Sequence, residues 1–335
     1  MIKQALLAEE KEQIRLFLLS NDLGFDFHDD AYFIEEDEKI IATLSLDGHI
    51  IKGLAIDVHY RGMNIAGELL SHAIAILSNR NLYSYHVFTK SIYVDLFTSM
   101  GFRLLADSGK VAFMEGGVDK IEDVILGYQK RIENTFGIKI KDNDLGTIVV
   151  NCNPMTLGHY QLIEASAAKH DFLIVFVVET DESTFTYKER FSLVYLALKP
   201  LNNVLVLPST NYIVSKSTFP SYFLKALDER EYEHAKLDAL IFKKYFMPLL
   251  NLSMRHVGTE SEPVMVAYNQ ILKDTLGEKL QEIPRFSQNG VVISASLVRR
   301  FMYEHRIEEA LSFVPHSIRP LLKAIMEEKN VRTKP

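Results

Sequence analysis

The chain is 335 residues long, 47% hydrophobic and 24% charged, with a net charge of −7; this allows two domains with separate cores and is ordinary for a globular protein. The acidic balance, with no long basic run, makes nucleic acid a poor partner, and one cysteine, Cys152, excludes an intramolecular disulfide and a cysteine-rich metal site. Charges come too early for a secretory segment, and the most apolar run, Phe172 to Val178, is too short for a bilayer, so no membrane partner and a cytoplasmic location are expected.

Residues 4–19 interleave Leu6, Leu7, Ile14, Leu16, Phe17 and Leu18 with charges, which predicts an amphipathic helix. Strands are expected over Tyr32–Glu35, Ile40–Leu46 and Ile50–Val58, with Asp37-Glu38 and Asp47-Gly48 supplying the turns. A helix over Ile65–Leu77, a strand over Leu82–Phe88 and a helix over Ser91–Met100 follow, the last stopped by Gly101. Lys110–Met114 gives a final strand. This order resembles an acetyltransferase-like (GNAT) domain of α+β class over residues 1–120. Such domains bind the CoA pyrophosphate with a Gly-rich loop at a helix N-terminus, here matched by Arg61-Gly62-Met63-Asn64-Ile65-Ala66. Asn64 stands in the usual glycine position; it tolerates positive φ, but its side chain intrudes on the phosphate approach. Docking of a carrier protein or its CoA-like arm is therefore expected here in preference to acetyl-CoA chemistry.

Ile121–Phe136 reads as a charged helix and Lys141–Asp144 as a polar connector, so residues 121–144 are expected to form a helical linker. From 145 to 335 the pattern changes. Leu145–Val150, His159–Lys169, Phe172–Val178, Lys188–Leu198 and Val204–Leu207 alternate strand and helix, which predicts an α/β fold with a parallel sheet. Helices around Asp228–Phe246, a strand Arg255–Val257, and helices Val264–Leu276, Leu297–Tyr303 and Pro320–Glu327 complete the reading. Ligands of such sheets sit beyond the carboxyl ends of the strands. That places the loop Asn151–Gly158 where a site belongs.

The loop carries the chemistry. Pro154 ends the strand, Gly158 removes a side chain where something must approach the backbone, and His159 lies in the first helical turn. Free N–H groups and the helix dipole favour phosphate there. The Thr156-x-Gly158-His159 spacing after a strand resembles the signature of nucleotidyltransferases that attack the α-phosphorus of ATP. A second junction, Gly290 to Arg300, again runs from an apolar stretch into a helix start. Ser294 and Ser296 suit its cap and first turn, and Arg299 falls on the face that reaches a phosphate held there. It resembles the Ile-Ser-x-Ser/Thr-x-x-Arg segment with which that superfamily grips the β- and γ-phosphates.

The wider pattern resembles one family, the citrate lyase ligases. The matching residues are Asn151-x-Asn153-Pro154-x-Thr156-x-Gly158-His159, Tyr187-x-x-Arg190, the block from Tyr212 to Lys225, Val257-Gly258-Thr259-Glu260, Tyr268-Asn269-Gln270 and Ile293-Ser294-x-Ser296-x-x-Arg299. The Thr218–Lys225 block is not general to nucleotidyltransferases and discriminates best. The resemblance covers nearly the whole chain, because that family also carries an acetyltransferase-like domain ahead of the other.

The resemblance implies a two-step ligation. Acetate attacks the α-phosphorus of ATP, with Mg²⁺ on the phosphates, and the acetyl group then passes to a thiol. That thiol belongs to the phosphoribosyl-dephospho-CoA group of the citrate lyase acyl carrier subunit. His159 and Thr156 are expected at the α-phosphate and Arg299, Ser294 and Ser296 at the departing pyrophosphate. Asn153, Pro154 and Gly158 are expected to bind the nucleotide from the loop, Arg190 to meet phosphate, and Gly258 and Glu260 the adenine or ribose. No metal-binding residues are assigned, since Mg²⁺ is held largely by phosphate oxygens and water. Two other readings stay open: a cofactor adenylyltransferase of pantetheine-phosphate or mononucleotide type, and a non-catalytic CoA- or carrier-binding module.

Overall fold

The computed structural model describes residues 1–25, 30–179, 183–213, 227–284, 287–288 and 291–332. It divides into two units, Met1–Asp123 with Phe219–Leu240, and Val124–Thr218 with Ile241–Pro335. The Thr218–Lys225 block lies outside the described residues, as does Gly290.

The first unit holds β1 (Ile2–Gln4), α1 (Ala8–Ser20), β2 (Asp30–Glu36), β3 (Lys39–Asp47), β4 (Ile50–Ile56), α2 (Ile65–Asn79), β5 (Ser84–Lys90), α3 (Val94–Ser99), β6 (Arg103–Asp107) and β7 (Val111–Gly117). The strands form one seven-stranded sheet, ordered β1-β2-β3-β4-β5-β7-β6. Ile14 and Leu18 of α1 pack with Phe33 and Ala55 on one face, while Leu69, Leu70, Ala73 and Leu77 of α2 fill the other. β4 and β5 run parallel and pair only at Ile50–His86 and Ile51–Val87. The rest of the sheet is antiparallel. This is the α+β acetyltransferase-like arrangement expected, with two corrections. Helix α1 begins at Ala8 and not at Gln4, because Ile2–Gln4 pair with Tyr32–Ile34 as an edge strand. Strand β6, not foreseen after the Gly101 stop, turns the chain back along β7. It is short and interrupted by a bulge between Leu104 and Ala106, so it shows little alternation.

The second unit follows through α4 (Ile121–Phe136), whose first three residues belong to the first unit, then β8 (Leu145–Val150), α5 (Leu157–Ala167), β9 (Phe172–Val177), α6 (Tyr187–Leu198) and β10 (Val204–Pro208). Helix α7 (Leu227–Ile241) clusters with the first unit except for its last residue, and the Ser108 hydroxyl there hydrogen-bonds the Glu233 carboxylate. A π-helical turn, Phe242–Phe246, and α8 (Met247–Leu249) lead to β11 (Leu252–Gly258), α9 (Pro263–Leu276) and β12 (Leu280–Ile283). The hairpin β13 (Ser287–Gln288) and β14 (Val291–Val292) precedes α10 (Ala295–Tyr303), α11 (Ile307–Ser312) and α12 (Arg319–Arg332). The five-stranded sheet has the order β10-β9-β8-β11-β12, and every pair in it is parallel.

In that order the chain starts at β8, winds outward to β10, then returns to the other side of β8 with β11. The reversal between β8 and β11 is a topological switch point, and their carboxyl ends open a crevice. Apolar runs such as Leu173–Val177, all buried, are what a sheet covered on both faces requires. Strand β12 was not foreseen because its four residues, Leu-Gln-Glu-Ile, are too few to show alternation, and only Ile283 is buried on this sheet edge. No helix among the described residues is long and apolar enough to cross a membrane.

Candidate active site

The loop after β8 is anchored from within. Cys152 and Met155 are buried in the second unit's core with Ile163 of α5 and Val298, Phe301 and Met302 of α10. Cys152 takes φ +49°, and the Asn153–Pro154 peptide is cis. Burial pushes the Cys152 thiol up to about 12, so it is an inert packed group and not a nucleophile.

Thr156, fully buried, caps α5. Its Oγ1 accepts from the His159 N–H at 3.3 Å, and its own N–H donates to His159 Nδ1 at 3.1 Å. The Thr156 hydroxyl also lies 2.9 Å from Nδ1. A ring nitrogen that accepts from a backbone N–H carries no proton, so the neutral imidazole holds its proton on Nε2. The cap thus sets the tautomer and aims Nε2–H as a donor. The Leu157 N–H is engaged by the Phe313 carbonyl at 2.9 Å. The Gly158 N–H has no acceptor among the described residues, as a helix N-terminus offered to an anion requires.

The second motif meets the first directly. Ser294 caps α10, its Oγ accepting from Leu297 N at 3.1 Å. Arg299 Nη1 donates to the Asn153 carbonyl at 2.5 Å, and Nη2 donates to Ser296 Oγ at 3.1 Å. A Cβ on Gly158 would lie 2.9 Å from the Ile293 carbonyl oxygen. The glycine is therefore required by the chain's own second motif, a closer constraint than the ligand approach read from sequence.

Arg190 departs from the solvated position usual for a helical arginine. It is fully buried, donating through Nη1 to Asn151 O at 2.9 Å and through Nε to Phe185 O at 3.2 Å. Asn153 Oδ1 accepts from Phe185 N at 3.1 Å. Both residues tie the loop to the start of α6. Gly258 ends β11, its Cβ position 3.2 Å from Leu162 of α5, and Glu260 lies half-buried in the loop beyond it. The structure thus brings Asn153, Pro154, Thr156, Gly158, His159, Arg190, Ser294, Ser296 and Arg299 to one junction, with Gly258 and Glu260 on the β11 side of the crevice. Glu179, just past β9, was not foreseen. Burial raises its carboxyl, while the Thr210 N–H, 2.6 Å away, opposes the shift. Only its place after an apolar strand could have flagged it.

In unit one, Asn64 has φ +59° and precedes α2. Its Oδ1 lies 2.7 Å from where a Cβ on Gly67 would stand, so the side chain covers the first turn of α2, as expected of an asparagine in that loop.

Residues 145–320 match the family model described as the citrate lyase ligase C-terminal domain. The citrate (pro-3S)-lyase ligase of Haemophilus influenzae is 31% identical over 314 residues, covering 90% of this chain and 92% of that protein. That of Escherichia coli is 31% identical over 337 residues, covering 96% of this chain and 94% of that protein. Among solved structures, an acetyltransferase of the GNAT family from Staphylococcus aureus is 16% identical, covering 36% of this chain and all of that one, with a TM-score of 0.30.

Proposed function

The chain belongs to the citrate lyase ligase family, and from that premise we propose that it activates acetate with MgATP and acetylates the thiol of the citrate lyase acyl carrier subunit. A carboxylate oxygen of acetate attacks the α-phosphorus, the bond to the bridging oxygen breaks, and pyrophosphate leaves. The thiol sulfur of the carrier's phosphoribosyl-dephospho-CoA group then attacks the acetyl carbon, AMP departs, and the thiol proton is released. Neither step needs a protein nucleophile, so catalysis rests on positioning and on charge stabilisation around phosphate.

His159 Nε2–H donates to the α-phosphate as charge builds there, with Thr156 holding the ring. Gly158 N–H adds a second donor. Arg299, Ser294 and Ser296 receive the β- and γ-phosphates, Gly258 and Glu260 border the nucleoside, and Arg190 with Asn153 and Pro154 keeps the loop in shape. Mg²⁺ would be held largely by phosphate oxygens and water and would offset phosphate charge there. The observation that carries this reading is the fusion of the two motifs: Arg299 on the Asn153 carbonyl, and Gly158 against Ile293. The first domain is assigned to docking the carrier or its arm, since Asn64 covers the helix end that would bind CoA phosphates.

Acetate-dependent exchange of labelled pyrophosphate into ATP, without carrier protein, tests the first step. Exchange that ignores acetate and demands phosphopantetheine or a mononucleotide would establish a cofactor adenylyltransferase instead.

A further inference from the structure

Asn269 of α9 is only 5% exposed, and its amide turns back toward the sheet. Nδ2 donates to the Gly258 carbonyl at 2.9 Å and to Glu282 Oε1 at 3.1 Å. The amide group has two protons, and both partners are pure acceptors, one of them charged. Gly258 is the last residue of β11, and Glu282 lies in β12 in register with the neighbouring Val257. From the other side Gly258 rests on Leu162, one helical turn beyond His159. One buried amide therefore fixes the point at which the chain leaves β11 and borders the crevice. It does so on the wall opposite the Asn151–Gly158 loop.

We propose that Asn269 is a positioning residue for the nucleoside end of ATP, acting through Gly258. It touches no reacting atom. The α-phosphate machinery sits on α5 and α10, so a displaced β11 loop loosens the hold on the nucleotide while leaving the chemistry at phosphorus intact. This inference rests on the ATP-dependent reading above.

The test uses the full chain with Asn269→Ala, Asn269→Asp and Asn269→Asp combined with Glu282→Gln. Asn269→Ala leaves the Gly258 carbonyl without its amide donor, and KM for ATP should rise roughly 5- to 50-fold. kcat at saturating ATP and KM for acetate should stay within about 2-fold. Asn269→Asp points oxygens at a carbonyl and a carboxylate, so it should be worse than alanine. Glu282→Gln restores a donor opposite the new carboxylate and should recover part of the loss, while confinement of the effect to KM for ATP is what a merely structural asparagine would not give. Glu282→Ala, on an exposed side chain, gives a second route if the Asn269 variants do not fold. It removes one of the two anchors and should raise KM for ATP about 2- to 5-fold.

Folded variants with unchanged KM for ATP, or with losses confined to kcat, would overturn the proposal. Calorimetric titration with a non-hydrolysable ATP analogue separates it from the function itself. If the wild-type chain lacks acetate-dependent exchange, the functional reading fails. In that case, weaker analogue binding by Asn269→Ala upholds the positioning role, and unchanged binding refutes it.

Discussion

Gly158 and Ile293 are 135 positions apart in the chain, yet a Cβ on the glycine would stand 2.9 Å from the isoleucine's carbonyl oxygen. The obstacle is backbone, so it cannot swing aside. Gly158→Ala should therefore cost about 1–3 kcal/mol of stability, as overpacking does, and exchange should fall as the two junctions separate. Denaturant unfolding and exchange on the same sample check this. Full activity at full stability would mean that the two motifs need not touch.

The division of labour between His159 and Arg299 gives a second expectation. On the proposed mechanism, His159→Ala removes a donor aimed at developing charge and should lower kcat roughly 10²–10³-fold with little change in KM for ATP. Arg299→Ala should also raise KM, because in the proposed mechanism Arg299 would hold ground-state phosphates, besides donating to the Asn153 carbonyl. Steady-state kinetics on both variants distinguish these outcomes; equal, small effects would remove both residues from the site.

Both motifs were legible because their chemistry is local. A strand, a proline, a threonine cap and a glycine can be read from neighbouring letters, and so can a serine cap followed by an arginine. The parallel order of the second sheet was legible for the same reason, in its alternating strand and helix periods. What escaped reading depends on distant partners. Arg190 looks like any helical arginine until the Asn151 and Phe185 carbonyls are seen on it. The need for Gly158 was evident, but its cause lies in Ile293. Strand β6 and strand β12 are too short to show an alternating period, β6 being interrupted by a bulge as well, and each exists because a neighbour offers an edge.

Arg190→Leu keeps the bulk of the buried side chain and removes its donors. Two loop carbonyls lose hydrogen bonds to a charged group, each worth roughly 1.5–3 kcal/mol. The expected result is a clear drop in unfolding midpoint with a broad loss of activity. A pure rise in KM for ATP at unchanged stability would instead favour direct contact between Arg190 and phosphate.

Asn64 permits a gain-of-binding experiment in the first domain. At φ +59° glycine is at ease, and Asn64→Gly removes the oxygen that covers the start of α2. Affinity for dephospho-CoA should rise roughly 2- to 20-fold, the range for an anion gaining a helix N-terminus, while acetate-dependent exchange stays the same. Titration calorimetry with dephospho-CoA reads the first and the exchange assay the second. Unchanged affinity would mean that the asparagine is not what blocks this loop.

The second unit also carries an acid-sensitive histidine, His256, set against His170. His170 Nε2 and His256 Nε2 are 2.7 Å apart, His170 Nδ1 is 2.8 Å from Asp144 Oδ2, and His256 is fully buried. A Cβ on Gly146 would strike the His170 ring, so the glycine makes room for the pair. Burial, then the neighbouring His170 and Lys169, hold His256 down at about 4, with Asp144 opposing. Its unfolded value is about 6.5, so between these limits the unfolded chain binds more protons than the native one. Native stability should therefore rise with pH through that window and be lost as pH falls from about 6.5 toward 4, on the order of 3 kcal/mol in all. Burial raises the Asp144 carboxyl, but hydrogen bonds from Ser253 and His170 outweigh it and leave the group below its ordinary value. Asp144 thus adds a loss in the same direction at still lower pH. Unfolding midpoints at pH 7.5, 6.5, 5.5 and 4.5, for the wild type and for His256→Gln, measure the effect. The variant should lose most of the slope above pH 4.5, and an identical slope in both proteins would place the acid sensitivity in other groups.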